Sequence, residues 1–290
     1  MIHYNTKVWV SHILALRKSD TIRVLWKQLL FIAFLSILIS YIELRFFPNS
    51  KMLNHLPAVY SILGFVISLL LVFRTNTAYD RWWEGRKIWG QFLNDSRNLS
   101  IKLSIVQLSQ DEKTFFSRMI PNFSFANKEH LRKGACLSLL DLTEKEREDF
   151  SKKNHIPVYI MQLITLRIKD IKNDLRISEE EYLAIVSNID FFINGLGACE
   201  RIKGTPIPYS YNIFIKKFIF LYVITLPLAF VNHFGYWAAF ISTFVFFALV
   251  SMEVLAEEIE DPFGVDDNDL PTDEIAEKIK GNCKEIFEIN

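Results

Sequence analysis

Seven carboxylates fall within residues 257–269, EEIEDPFGVDDND, where Pro262 and Gly264 force the chain to turn. Oxygen ligands gathered by a turn are what a hard cation such as calcium requires. The spacing does not fit an EF-hand loop, which needs alternating ligands around a central glycine and a closing glutamate. The run reads equally as a solvated acidic turn after a helix. The histidines, His3, His12, His55, His130, His155 and His233, are scattered, with no His-Glu-x-x-His pattern and no Glu-x-x-His pair on an apolar run. A catalytic metal centre therefore has little support. Neither a glycine-rich phosphate loop nor a Gly-x-Ser-x-Gly elbow occurs, which removes the ordinary nucleotide and hydrolase chemistries. Cys136, Cys199 and Cys283 are odd in number and far apart, so reduced thiols are expected rather than a disulfide framework or a zinc site.

The elements that carry these residues are unusually apolar. Half of the 290 residues are hydrophobic, 25 of them phenylalanine, although 33 basic and 33 acidic side chains are also present. Balanced charge gives no pull toward nucleic acid. The apolar residues must be concentrated, and they are. Residues 28–42 and 56–73 are uncharged runs joined by a short polar connection with a proline, which predicts a first membrane hairpin. Residues 218–252 contain no Asp, Glu, Lys or Arg and are interrupted by VNHFGYW at 231–237, a turn at a membrane surface that splits the run into a second hairpin. Pro227 is expected to kink the first of these helices where neighbours cover the freed carbonyl.

Basic residues set the orientation. Arg17, Lys18, Arg23 and Lys27 precede the first span, Arg74, Arg81, Arg86 and Lys87 follow the second, and Lys203, Lys216 and Lys217 precede the third; the connecting turns carry only Arg45 and Lys51. The positive-inside bias then places both termini and the large middle segment in the cytoplasm. The first twenty residues lack a continuous apolar core and a small-residue cleavage site, so a signal peptide is not expected. The middle segment spaces its apolar residues by three and four without strand-like alternation, which predicts helices. The chain is thus all-α. A cytoplasmic N-terminal amphipathic segment (1–27) leads into transmembrane hairpin 1 (28–73), a cytoplasmic helical domain (74–212), transmembrane hairpin 2 (213–252), and a cytoplasmic acidic loop with a C-terminal helix (253–290). Thr272 is the expected N-cap of that last helix.

The second span carries more information than its hydropathy. Gly64 and Ser68, with Ser61 beside them, offer a small-residue face for close helix packing. Phe65, Leu69 and Phe73, spaced by four, form a separate bulky stripe. That stripe faces lipid or a neighbouring helix, or, in an oligomer with this helix on its axis, stacks rings around a hydrophobic constriction. The stretch VFRTNTAYDRWWEGRKIWG at 72–90 follows at once, with Trp82, Trp83 and Trp89 as interface anchors or as packing for a helix continuing below the membrane.

Three stretches, FRTNTAYDRWWEGRKIWG, GTPIPYSY at 204–211 and EDPFGVDDNDLP at 260–271, together resemble the bestrophin family, its bacterial members in particular. The two hairpins give four spans, and the resemblance implies a homopentameric ion channel in the bacterial inner membrane, with one axial pore and a cytoplasmic vestibule. On that likeness Phe65, Leu69 and Phe73 become the pore neck. It also implies a calcium clasp at Glu258, Asp261, Asp266 and Asp269, and no other cofactor. The family's cytoplasmic constriction aligns with RISEEEY at 176–182. If Glu179, Glu180 or Glu181 faces the axis, five copies make a carboxylate ring, and such rings favour cations. Alternatively Ser178 caps a helix whose first turn the glutamates complement. Sodium is the first expectation for the permeating ion and chloride the second. An enzyme is not expected; a metal-dependent membrane enzyme or a scaffold is the competing class. Partners are then other copies of the chain, membrane lipid and the permeating ions, with no nucleic acid.

Overall fold

The computed structural model describes residues 20–47, 55–132, 134 and 136–288. Of the N-terminal segment expected over 1–27, residues 1–19 lie outside the described residues, as does Lys51 of the first connection. The described residues are helical throughout, without a strand: α1 (Asp20–Phe46), α2 (Leu56–Ser104), α3 (Gln110–Arg132), a short 3-10 turn (Leu137–Leu139), α4 (Glu144–Ser151), α5 (Ile156–Asn173), α6 (Glu179–Gly204), α7 (Tyr209–Phe234), α8 (Trp237–Glu260) and α9 (Thr272–Ile286). The described residues divide into two compact units, one holding those from 20 to 80 with 207–260, the other those from 81 to 206 with 261–288. Helix α2, 49 residues long, contributes to both.

In the first unit α1, α7, α8 and the first half of α2 have the length and composition to cross a bilayer. Their packed interior is small: Ile32, Ile67, Leu71, Ile215, Ile219, Val223 and Phe246 form its centre, and Tyr60, Leu226 and Ala229 a second patch. Most other large apolar side chains point outward, among them Phe34, Ile62, Phe240 and Phe244. Contiguous exposed apolar surface on this scale suits lipid rather than water. Only Gly235 and Tyr236 separate α7 from α8. Gly235 stops α7 at φ +56°, where a side chain would be strained, while its N–H donates to Val231 O at 2.6 Å. The turn is tighter than the seven-residue interruption suggests, because the helices run through Val231 and Asn232. Pro227 is buried within α7, which continues past it.

The second unit holds an aromatic core. The Phe92 ring lies 5.7 Å from Trp89, 5.4 Å from Phe123 and 6.1 Å from Phe192, centroid to centroid. Gly195 makes this possible, since a Cβ there would stand 2.6 Å from a Phe92 ring carbon. Helix α6 is apolar and long enough to satisfy the same spanning criterion. Its apolar face is instead used here, with Ile185, Ile189, Phe192, Leu196, Cys199 and Ile202 buried in this core. Capping boxes start three helices: Ser109 with Glu112, Thr143 with Glu146, and Ser178 with Glu181. Thr272 departs from expectation. Pro271 is the N-cap of α9 and Thr272 its first residue, and the Thr272 hydroxyl accepts from Arg132 Nη2 at 3.0 Å.

Candidate functional site: one helix face and an acidic loop

Helix α2 presents two different faces within its first half. At about 100° per residue, Tyr60, Ile67, Leu71, Arg74 and Ala78 share one side, and all are buried. Gly64 belongs to that side's edge: a Cβ there would stand 2.7 Å from the Tyr222 hydroxyl oxygen, and that hydroxyl donates to Tyr60 O at 3.3 Å. Of the three small residues, Gly64 makes the close approach, whereas Ser61 and Ser68 are exposed. The opposite side carries Phe65, Leu69 and Phe73, which are 69%, 43% and 55% exposed. Asn76 and Asp80 extend this bare stripe by two turns, and both are exposed.

The cations that follow the span are not uniform. Arg74 is buried, and its Nη2 donates to Glu260 Oε2 at 2.6 Å; Glu260 Oε1 accepts from the Ile207 N–H at 2.7 Å. Arg74, Ile207 and Glu260 come from the three stretches that carry the resemblance. The same stretches meet again in the second unit. There Arg81 donates to the carbonyls of Ile202 and Thr205, Trp82 Nε1 to Asn268 O at 3.0 Å, and Lys203 pairs with Asp261. Among the tryptophans Trp89 is wholly buried core, while Trp83 is half exposed. Trp89 is therefore packing for a continuing helix and not an interface anchor.

At the first turn of α6 the three glutamates differ. Glu181 closes the capping box, accepting from the Ser178 N–H at 2.8 Å, and Glu179 Oε2 lies 2.5 Å from Lys172 Nζ. Glu180 is exposed to solvent.

The acidic residues fall on two elements: Glu258 lies on α8, and Asp261, Asp266 and Asp269 lie in the loop before α9. Asp269 is buried; one carboxylate oxygen accepts from the Asp266 N–H at 2.7 Å and abuts Gly264, where a Cβ would stand 2.5 Å away. Its other oxygen, Oδ1, is buried with no hydrogen-bond partner among the described residues, as is Asp261 Oδ1. Burial, followed by the charges of Asp266 and Asp261, pushes the Asp269 carboxyl up to about 6. Two orphaned carboxylate oxygens of this kind are a chemistry that calcium would complete, so the loop residues fit such an ion. Lys203, already on Asp261, is the competing cation.

The matches to other proteins agree with this architecture. The profile described as "Bacterial/Fungal Bestrophin protein" matches residues 1–285. A "Voltage-dependent anion channel-forming protein" of Nostoc sp. is 32% identical over 98% of this chain and 93% of its own length. One of the same description from Escherichia coli K12 is 29% identical over 96% and 90%. Among solved structures, the bacterial bestrophin homologue from Klebsiella pneumoniae superposes with a TM-score of 0.83 at 27% identity, covering 92% of this chain and 99% of that one. The chain belongs to the bestrophin family of membrane ion channels, in its bacterial and fungal branch.

Proposed function

We propose that this chain assembles as a homopentamer around one axial pore and conducts monovalent ions passively across the bacterial cell membrane, both termini cytoplasmic. The bare stripe on α2 carries the reading. Five copies of a helix packed on one face by Ile67, Leu71 and Ala78 would stack Phe65, Leu69 and Phe73 as rings on the other. Apolar rings form constrictions that gate by dewetting. The channel-forming descriptions of the Nostoc and Escherichia coli relatives support conduction. In liposomes, replacing all three residues with Ala raises ion flux; an unchanged flux removes the neck from the mechanism. Native mass measurement should count five copies.

For the sign of the ion, a cation such as sodium is the leading reading. Asp80 sits on the neck stripe about 10 Å beyond Phe73 along the helix, and Glu180 is exposed at the start of α6. Carboxylate rings at either place would attract cations. An anion channel of the same architecture is the second reading, favoured by the relatives' descriptions and by the local commitments of Glu179 and Glu181. The reversal potential under a sodium chloride gradient decides, since the two readings predict opposite signs. Calcium at Asp261, Asp266 and Asp269 is the accompanying proposal for the acidic loop.

A further inference from the structure

Two histidines far apart in sequence meet in the second unit. His130 lies in the last turn of α3, and His155 is the N-cap residue of α5. Their Nε2 atoms stand 2.7 and 2.9 Å from the same oxygen, Oε1 of Glu200 on α6. The rings are 4.5 Å apart between centroids and tilted by 36°. One ligand atom from each residue lies within 4.8 Å of the other two, and among the described residues no other group of three does so. The capping of α5 makes no use of the His155 side chain, and its buried Nδ1 has no hydrogen-bond partner among the described residues.

Two imidazole nitrogens and one carboxylate oxygen are the donor set of a borderline transition cation, since magnesium and calcium are held by oxygen. Zinc takes such donors at about 2.0–2.2 Å in a tetrahedron, which separates the donor atoms by roughly 3.3 Å. The two nitrogen–oxygen contacts must open by about half an ångström and the imidazole nitrogens come to the same spacing, a change made by side-chain rotation. Side-chain exposures of 27%, 39% and 38% leave an ion a route in and room for a water as fourth ligand. Cys199, next to Glu200, is wholly buried in the aromatic core and so is no part of this set.

We propose that His130, His155 and Glu200 bind a divalent transition-metal ion of the zinc type, clamping the end of α3 and the start of α5 to α6. The site is independent of the ion pathway proposed above. The test uses the full chain, purified in detergent and stripped with a chelator, with zinc chloride titrated calorimetrically and magnesium chloride as control. The expected result is one zinc per chain, no magnesium binding, and an affinity lowered tenfold or more in both His155→Ala and Glu200→Gln, with His233→Ala unaffected. The proposal is overturned if zinc fails to bind or if both variants retain the wild-type affinity. Should a variant lose its native elution in size exclusion, cobalt(II) on the wild-type chain decides. An intense tetrahedral absorption bound one per chain supports the site, and a weak octahedral spectrum overturns it.

Discussion

Arg74 Nη2 meets Glu260 Oε2 at 2.6 Å across 186 residues of sequence, and both side chains are buried. The carboxylate that holds the guanidinium also accepts from the Ile207 N–H, so one ion pair fastens α2, the entry to α7 and the exit of α8. Removing either partner leaves a buried charge without its counterion. Arg74→Met or Glu260→Gln alone should destabilise the protein by about 3–5 kcal/mol. The double variant should cost less than the sum of the two. Thermal unfolding of all four proteins, read as a double-mutant cycle, checks this; additive losses would mean that the pair does not act as a unit.

The two faces of α2 make opposite predictions. Phe65→Ala, Leu69→Ala and Phe73→Ala, taken together, should leave the thermal midpoint of the isolated subunit fold nearly unchanged while altering ion flux. Ile67→Ala, on the packed face, should cost about 2–4 kcal/mol through loss of burial and the cavity it leaves. A neck variant that unfolds the protein as readily as Ile67→Ala would show that the stripe is packed.

Glu112 and Arg176 form a two-pronged pair, with contacts of 2.8 and 2.8 Å. The hydrogen bonds from Arg176 hold the Glu112 carboxyl down at about 2 despite its burial. A carboxylate depressed in the folded state contributes stability that is complete above its unfolded value near 4.5 and is lost as pH falls toward 2. Glu112→Gln should therefore lower the thermal midpoint at pH 7 and have progressively less effect as the pH is lowered below 4. A loss that does not shrink with acid would point to packing instead.

Asp269 behaves in the opposite sense, because burial raises its carboxyl to about 6. Above that pH the folded protein holds a buried carboxylate at a cost, and stability rises as pH falls through 6 toward the ordinary value of 3.8. Asp269→Asn should raise the thermal midpoint at pH 7.5 in the presence of a calcium chelator. If the acidic loop holds calcium, adding the ion should stabilise the wild type and not the variant. Equal responses of the two proteins would exclude Asp269 as a ligand.

Phe92 and Gly195 test the aromatic core directly. Gly195→Ala forces a methyl group to within 2.6 Å of the Phe92 ring carbon as the side chains now stand. Overpacking of this kind costs about 1–3 kcal/mol, which a chemical denaturation curve would register. An unchanged midpoint would mean that the ring shifts freely.

The helices with spanning character were legible because the bilayer writes them locally: an uncharged run such as 56–73 names its solvent without reference to any other residue. The capping box at Ser178 and Glu181 was legible for the same reason, its partners lying three residues apart. What sequence concealed depends on partners distant along the chain. Arg74 reads as one more cation at a membrane exit until Glu260 is folded onto it. Trp89 reads equally as an interfacial anchor or as packing until it is seen wholly buried, edge-on to Phe92. His130 and His155 look scattered because 25 positions and an intervening helix separate two rings whose centroids lie 4.5 Å apart. Thr272 looks like a cap, but Pro271 precedes it and Arg132 takes its hydroxyl.

The separation between Arg74 and Glu260 also bears on how the protein is made. A ribosome working at about 5–20 residues per second needs roughly ten to forty seconds to synthesise the segment between them. For that interval the newly made second helix carries a guanidinium whose counterion does not yet exist, and water, headgroups or the insertion machinery must shelter it. Truncated chains ending before residue 260 should accordingly be poor substrates for stable integration and good ones for quality-control proteolysis.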